Sequence, residues 1–175
     1  MFLNPEKIIN ELDIITNGMA VADFGSGSGY FTIPLAHKVG NSGSVYAIDI
    51  LEDRLTLIEN HAKLKNLSNI NIILANLEVL GGTNLDNNSL DAVLVANILF
   101  QSDKKIDIIK EAKRILIPKG YLIIIDWLNN NSVLIPKSVE IDKKQIIEIT
   151  KNAGLNLFKE FTVDPYHFGV IFIKQ

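Results

Sequence analysis

Cysteine is absent from the 175 residues, which excludes disulfides, thiolate zinc ligands and a cysteine nucleophile together. Excess charge of one sign is missing too. Seventeen Lys and Arg stand against twenty Asp and Glu, leaving a net charge of -3. No basic cluster is dense enough to track a phosphate backbone, so no nucleic-acid partner is expected. Long apolar runs are lacking. The longest, around Tyr121 to Ile125, falls far short of the ~20 residues that a spanning helix needs. The opening MFLNPEKIINELDI has no basic region followed by an apolar one, so it does not read as a secretory signal. A cytoplasmic protein without a membrane partner is the expectation. No repeat or Gly/Ser/Pro linker divides the chain, and 47% hydrophobic content suits one packed core.

What is present is an alternation of short β-type runs with helical ones. Pro5 to Ile15 reads as an amphipathic helix, with Ile8, Ile9, Leu12 and Ile15 on one face. Strands are expected at Met19 to Phe24, Ser44 to Asp49, Ile70 to Ala75, Asp91 to Ala96 and Tyr121 to Trp127. The last of these is apolar enough to be central and covered on both faces. Helices are expected at Tyr30 to Val39, Glu52 to Leu64, Asp103 to Leu116 and Asp142 to Ala153, with a polar loop at Asn129 to Ser132. His37 and His61 fall on solvated helix faces. Two further strands, Asn156 to Val163 and Gly169 to Lys174, have only a Pro165 turn between them, so they must pair antiparallel. The pattern predicts an α/β fold, βα units building a parallel sheet with a terminal β-hairpin.

Between the first strand and the following helix stands VADFGSGSGYF, residues 21 to 31. A glycine-rich strand-to-helix turn lets backbone approach a ligand closely and aims helix N–H groups at it. Asp49 ends the second strand about 20 residues on, where a carboxylate accepts from ribose hydroxyls. Two cofactors are compatible with that pair. A nicotinamide dinucleotide asks for G-x-G-x-x-G, but Tyr30 occupies the third glycine's position, and Asp23 would face a pyrophosphate. S-adenosylmethionine carries an ammonium, a ribose and no phosphate, and fits these residues better.

VADFGSGSGYFT followed by VYAIDI resembles the first two motifs of the class I S-adenosylmethionine-dependent methyltransferases. SLDAVLVANILF, EAKRILIPKGYLIIIDW and HFGVIFIK are similar to the later motifs of small ubiquinone-biosynthesis-type members, so the resemblance runs over nearly the whole chain. It implies a single domain over residues 1–175. The fold would be a three-layer sandwich around a seven-stranded, mostly parallel Rossmann-like sheet with the last strand antiparallel. It also implies that Asp23 and the loop of Gly25, Ser26, Gly27 and Gly29, with Tyr30 beside it, hold the methionine part. Asp49 would take the ribose hydroxyls and Ile50 would pack on the adenine. Asn76 stands where the family usually has an acidic residue facing the adenine amine, and Leu77 would offer its backbone N–H to the ring. Asn97 would lie under the sulfonium. The usual P-G-G turn is Pro118-Lys119-Gly120 here, a harmless-looking departure.

Methyl transfer is an in-line displacement that needs alignment and water exclusion more than a dedicated base. Candidates for acceptor-side chemistry are His167 and Tyr166 in the terminal hairpin and Asp126 at the end of strand five, with Trp127 as a pocket wall. Phe100 stands where relatives often have His, so any acid–base role there is absent. No N-P-P-Y or D-P-P-Y sequence follows strand four; family members that methylate planar amide or adenine nitrogens usually have one, so the resemblance disfavours those acceptors. Arsenite methyltransferases work through cysteines, and none is present. No carboxylate cluster suggests magnesium, so metal independence is expected. The expectation is transfer of a methyl group from S-adenosylmethionine to a small-molecule acceptor. The Pro5 helix and the Asn129 to Ser138 segment would be the covers. A non-catalytic cofactor-binding module and a nicotinamide-dependent oxidoreductase are the alternatives. Oligomeric state is not legible.

Overall fold

The computed structural model describes residues 3–128 and 141–175; the expected Asn129 to Ser132 loop and the whole of the expected 129–138 cover lie outside these. The chain runs α1 (Pro5–Glu11), β1 (Ala20–Phe24), α2 (Thr32–Val39), β2 (Ser44–Asp49), α3 (Glu52–Leu64), β3 (Ile70–Leu74) and β4 (Leu90–Ala96). A 3₁₀ turn at Leu99–Gln101 precedes α4 (Lys105–Ile115), β5 (Leu116–Trp127), α5 (Lys143–Asn152), β6 (Leu155–Asp164) and β7 (His167–Lys174). The seven strands form one sheet in the order β3-β2-β1-β4-β5-β7-β6. The five strands β3-β2-β1-β4-β5 pair parallel, and β7 is antiparallel to both β5 and β6. The expected fold is therefore present. Among the described residues no helix is long and apolar enough to cross a membrane.

Alternation along the central strands fills both faces of the sheet. Val93, Val95, Leu122 and Ile124 join one core with Ile108, Ile109 and Ala112 of α4 and Ile146 of α5. Ala92, Leu94, Ile123 and Ile125 join the other with Ile8 and Ile9 of α1 and Leu35 and Val39 of α2. Leu122 to Asp126 are all fully buried, as a central β5 requires. Each helix covers the sheet with a stripe of branched aliphatics at helical spacing.

Several boundaries differ from expectation for local reasons. Helix α1 stops at Glu11, because Asp13 and the β-branched Ile14-Ile15-Thr16 run favour turns over a further helical turn. Leu12 and Ile15 are nonetheless buried. The chain enters α4 through the 3₁₀ turn, and Ser102 Oγ accepts from Lys104 N at 3.0 Å before the helix begins. Strand β5 starts at Leu116, and the ladder jumps from Leu90↔Leu116 to Ala92↔Tyr121. Residues 117 to 120 therefore bulge from it, with Lys119 at φ 68°. That places a lysine in the left-handed region, so the P-K-G turn is a strained one rather than a neutral variant.

The topology also decides where a ligand can sit. Strand order reverses between β1 and β4, which opens a crevice at the carboxyl ends of the parallel strands. Because Trp127 pairs with His167, the turn joining β6 and β7 lies at that same edge.

Candidate active site

The glycine loop is pinned from below by the end of β2. Gly25 N and Ser26 N donate to Ile48 O at 2.8 and 3.0 Å, and Gly27 N donates to Asp49 Oδ2 at 2.8 Å. Asp49 Oδ1 accepts from Leu51 N at 3.0 Å, so this 8% exposed carboxylate joins the loop to the start of α3. Gly25 has φ 68°, and a Cβ there would stand 2.3 Å from Ile98 Cγ2. Only glycine fits that approach.

Two recesses meet over the loop. One, of about 520 Å³, is lined by Asp49, Ile50, Ala75, Asn76, Leu77 and Glu78 and by residues of the segment after β4. The other, of about 460 Å³, is lined by Asp23, Ser26, Tyr30, Ala96, Trp127 and His167, among others. Gly25, Gly27, Arg54 and Asn97 line both, so the two are halves of one crevice. Tyr30 is 71% exposed and Ile50 62%; neither is a core residue. Asn76 Oδ1 accepts from Glu78 N at 2.9 Å, which leaves that oxygen one free lone pair for a ligand.

In the second recess Asp23 is buried and accepts from Thr32 Oγ1 at 2.6 Å. Burial and the neighbouring Asp49 raise its pKa to about 7 against the bond from Thr32. Asn97 adopts φ 55°. Four buried side-chain polar atoms among the described residues lack a hydrogen-bond partner, and three of them, Ser26 Oγ, Asn97 Oδ1 and His167 Nε2, belong to residues lining this recess. Buried polar groups are otherwise nearly always paired. Three orphans around one recess mark a surface built for a polar ligand.

The acceptor-side candidates part company. His167 is 3% exposed; its Nδ1 lies 2.9 Å from both oxygens of Asp164, and its ring stacks on Trp127 with centroids 4.1 Å apart. Burial pushes the Asp164 carboxyl up, but the bonds from His167 and from the amides of Tyr166 and His167 prevail and hold it below the usual range. Asp126 lines neither recess. Fully buried, it accepts from Leu99 N at 3.0 Å, Phe100 N at 3.3 Å and Trp127 N at 2.8 Å. Burial outweighs those amides and raises its pKa to about 6. The expectation that it faces an acceptor is corrected: its oxygens clamp the turn after β4. Tyr166 lines neither recess either, and its carbonyl accepts from Leu128 N at 2.7 Å. Phe100 packs against the α4-side core.

Arg54, Glu78, Gln101 and Ser102 also line the crevice and were missed in the sequence. Arg54 alone carried a signal, being placed to overhang the crevice by the first turn of the helix that follows Asp49. Among the described residues no three His, Cys, Asp or Glu side chains group to hold a metal ion.

Residues 15–162 match the methyltransferase domain model. The chain belongs to that family. A S-adenosylmethionine-dependent methyltransferase from Aquifex aeolicus has 26% identity and a TM-score of 0.88, with 99% of this chain and 90% of that one covered. An arsenite methyltransferase of Aquipseudomonas alcaligenes is 31% identical over 62% of this chain. A demethylmenaquinone methyltransferase of Lactococcus lactis is 24% identical over 82% of it. The chain spans 32% and 56% of the lengths of those two curated relatives.

S-adenosylmethionine is the cofactor that membership implies, and the crevice suits it. A buried carboxyl and orphan polar atoms stand on the side where an amino-acid group would lie. On the other side Asp49 stands beside the apolar Ile50, Ala75 and Leu77, as a nucleoside requires.

Proposed function

We propose that this chain, acting as a single domain, transfers a methyl group from S-adenosylmethionine to a small-molecule acceptor. The carrying observation is the divided crevice, with Asp49 in one half, Asp23 in the other and the glycine loop between them. When bound, the cofactor supplies an electrophilic methyl group and a neutral thioether as leaving group. The protein's own part is positional. Asp23 and Ser26 hold the ammonium and carboxylate end, Asp49 the ribose hydroxyls, and Ile50 and Leu77 enclose the base. Asn76 accepts from the adenine amine. Asn97, held in the left-handed conformation, presents its polar groups beneath the sulfur. His167 and Trp127 border the acceptor's side.

The lack of cysteine argues against arsenic as the acceptor, because no thiolate is present to hold it. The proposal also covers a cytoplasmic location and no nucleic-acid partner, both resting on the near-neutral charge and the sequence pattern. Calorimetric titration with S-adenosylhomocysteine tests the cofactor, with NADH and Asp49→Ala as controls. Micromolar binding that the variant loses supports the reading. Binding of NADH alone would favour an oxidoreductase, and cofactor binding without turnover on any acceptor would favour a non-catalytic module.

A further inference from the structure

The proton chemistry of the terminal hairpin is fixed by its hydrogen bonds. Asp164 Oδ1 accepts from Tyr166 N at 2.7 Å and His167 N at 2.8 Å, which ties the carboxylate to the turn before it meets the imidazole. A carboxylate only accepts, so the His167 Nδ1 facing both its oxygens must be the protonated nitrogen. In the neutral ring Nε2 then keeps its lone pair. Nε2 is buried without a partner, on a residue lining the recess that also holds Asp23 and Asn97. Trp127 fixes the ring from one side through the stacking contact. An oriented imidazole with an unused, buried lone pair, on a residue that lines a ligand recess, suits a general base that engages when the recess is filled.

Resting on the methyltransferase reading above, we propose that His167 Nε2 takes the proton from an acceptor hydroxyl, with Asp164 as its positioning residue, and that the acceptor is a planar phenol or enol. The hydroxyl proton passes to Nε2, the oxygen lone pair forms the bond to the methyl carbon, and the carbon–sulfur bond breaks with its electrons staying on sulfur. The imidazolium then returns its proton to solvent. The need for a base separates this class from amines. A hydroxyl acceptor develops negative charge beside a forming imidazolium, an attraction strengthened by Asp164 behind the ring. A neutral amine acceptor attacks through its own lone pair without first losing a proton, so it gains nothing from a base held at this point. Planarity is inferred from the two aromatic side chains, Trp127 and the exposed Tyr30, among the residues that line the recess.

Among the described residues, the other charged or titratable groups of this recess are Asp23 from β1, Arg54 from α3 and Tyr30. Asp23 is assigned to the cofactor's ammonium, so it does not compete for the acceptor proton.

The test uses 4-nitrophenol, whose phenolate has its own visible band, added to protein saturated with S-adenosylhomocysteine at a pH below the phenol's solution pKa. A saturable phenolate band is expected, because the proton moves to His167. His167→Gln should lose the band and bind the probe roughly tenfold or more weakly, while keeping its S-adenosylhomocysteine affinity. Asp164→Asn, which keeps an oxygen for the turn amides, should weaken the band several-fold and move its appearance to higher pH, because the imidazolium loses the negative charge behind it. 4-Nitroaniline, of the same shape without the hydroxyl, should bind weakly and equally to wild type and His167→Gln. Absence of a saturable band, an unchanged band in His167→Gln, or nitroaniline binding as tightly as nitrophenol overturns the proposal. Failure of wild type to bind S-adenosylhomocysteine would instead overturn the methyltransferase reading.

Discussion

Gly27 and Asp49, 22 residues apart, are joined by a 2.8 Å hydrogen bond from the glycine amide to the carboxylate. The two halves of the cofactor motif are therefore one mechanical unit. Asp49 holds the loop in place and, in the proposed complex, also accepts from the ribose.

Removing that carboxylate affects both roles. Asp49→Ala should weaken S-adenosylhomocysteine binding about a hundredfold, roughly 3 kcal/mol, the scale of one or two charge-assisted hydrogen bonds. Asp49→Asn keeps an oxygen for Gly27 or Leu51 and should lose less. Calorimetry on both variants checks the order.

Asp23 links binding to protonation. Burial first, with Asp49 nearby, lifts its carboxyl from 3.8 to about 7. A raised carboxyl favours the protonated folded state, so its stabilising contribution is complete below 3.8 and is lost as pH climbs to about 7. Asp126 acts with the same sign up to about 6. The ligand-free protein should accordingly lose melting temperature over that range. An ammonium arriving beside Asp23 would expel its proton, so titrations at about pH 7 in buffers of different ionisation enthalpy should show proton release. Asp23→Asn should melt higher than wild type above about pH 7 without ligand and bind S-adenosylhomocysteine more weakly. Equal apparent enthalpies in all buffers would refute the linkage.

The legible part of the site was the part written locally. Asp23, Gly25, Gly27 and Asp49 lie within two strand ends and one turn, and the 3.6 and 2 periodicities gave β2 and α3 to the residue. Glu78, Gln101 and Ser102 come to the crevice only because β3 and β4 are separated by β2 and β1 in the sheet, a relation no local window contains. Asp126 was misread for the same reason. Its partners Leu99 and Phe100 sit 26 to 27 residues away, and a strand-end carboxylate looks alike whether it faces a ligand or a buried turn. Asp164 was invisible as a partner of His167 because an Asp before Pro is a common turn residue in its own right.

Glu111 is a second charge that local pattern does not flag. It lies fully buried on α4 and accepts from Thr83 Oγ1 at 2.6 Å, Gly81 N at 2.7 Å and Arg114 Nε at 2.9 Å. Burial pushes its carboxyl up, yet these bonds prevail and hold it at about 2. Its contribution is thus present above 4.5 and lost as pH falls toward about 2. Glu111→Ala should destabilise by about 3 kcal/mol, since it strands Arg114 and the loop amides. That corresponds to a melting temperature lower by roughly 10 °C, and the variant should lack the wild type's steep loss in that acid window. A change under about 1 kcal/mol in urea unfolding would show the network to be dispensable.

Lys119 offers the converse experiment. At φ 68° it carries the left-handed strain of about 1–2 kcal/mol that a side chain brings, and it is exposed in the bulge of β5. Glycine removes that strain but enlarges the unfolded ensemble by up to about 1 kcal/mol. Lys119→Gly should therefore stabilise by about 1 kcal/mol, a rise of roughly 2–4 °C in melting temperature. Cofactor affinity should not move, because the turn lies at the opposite end of β5 from Trp127 and the crevice. A variant less stable than wild type would mean that the lysine side chain holds the bulge in a way its backbone conformation does not reveal.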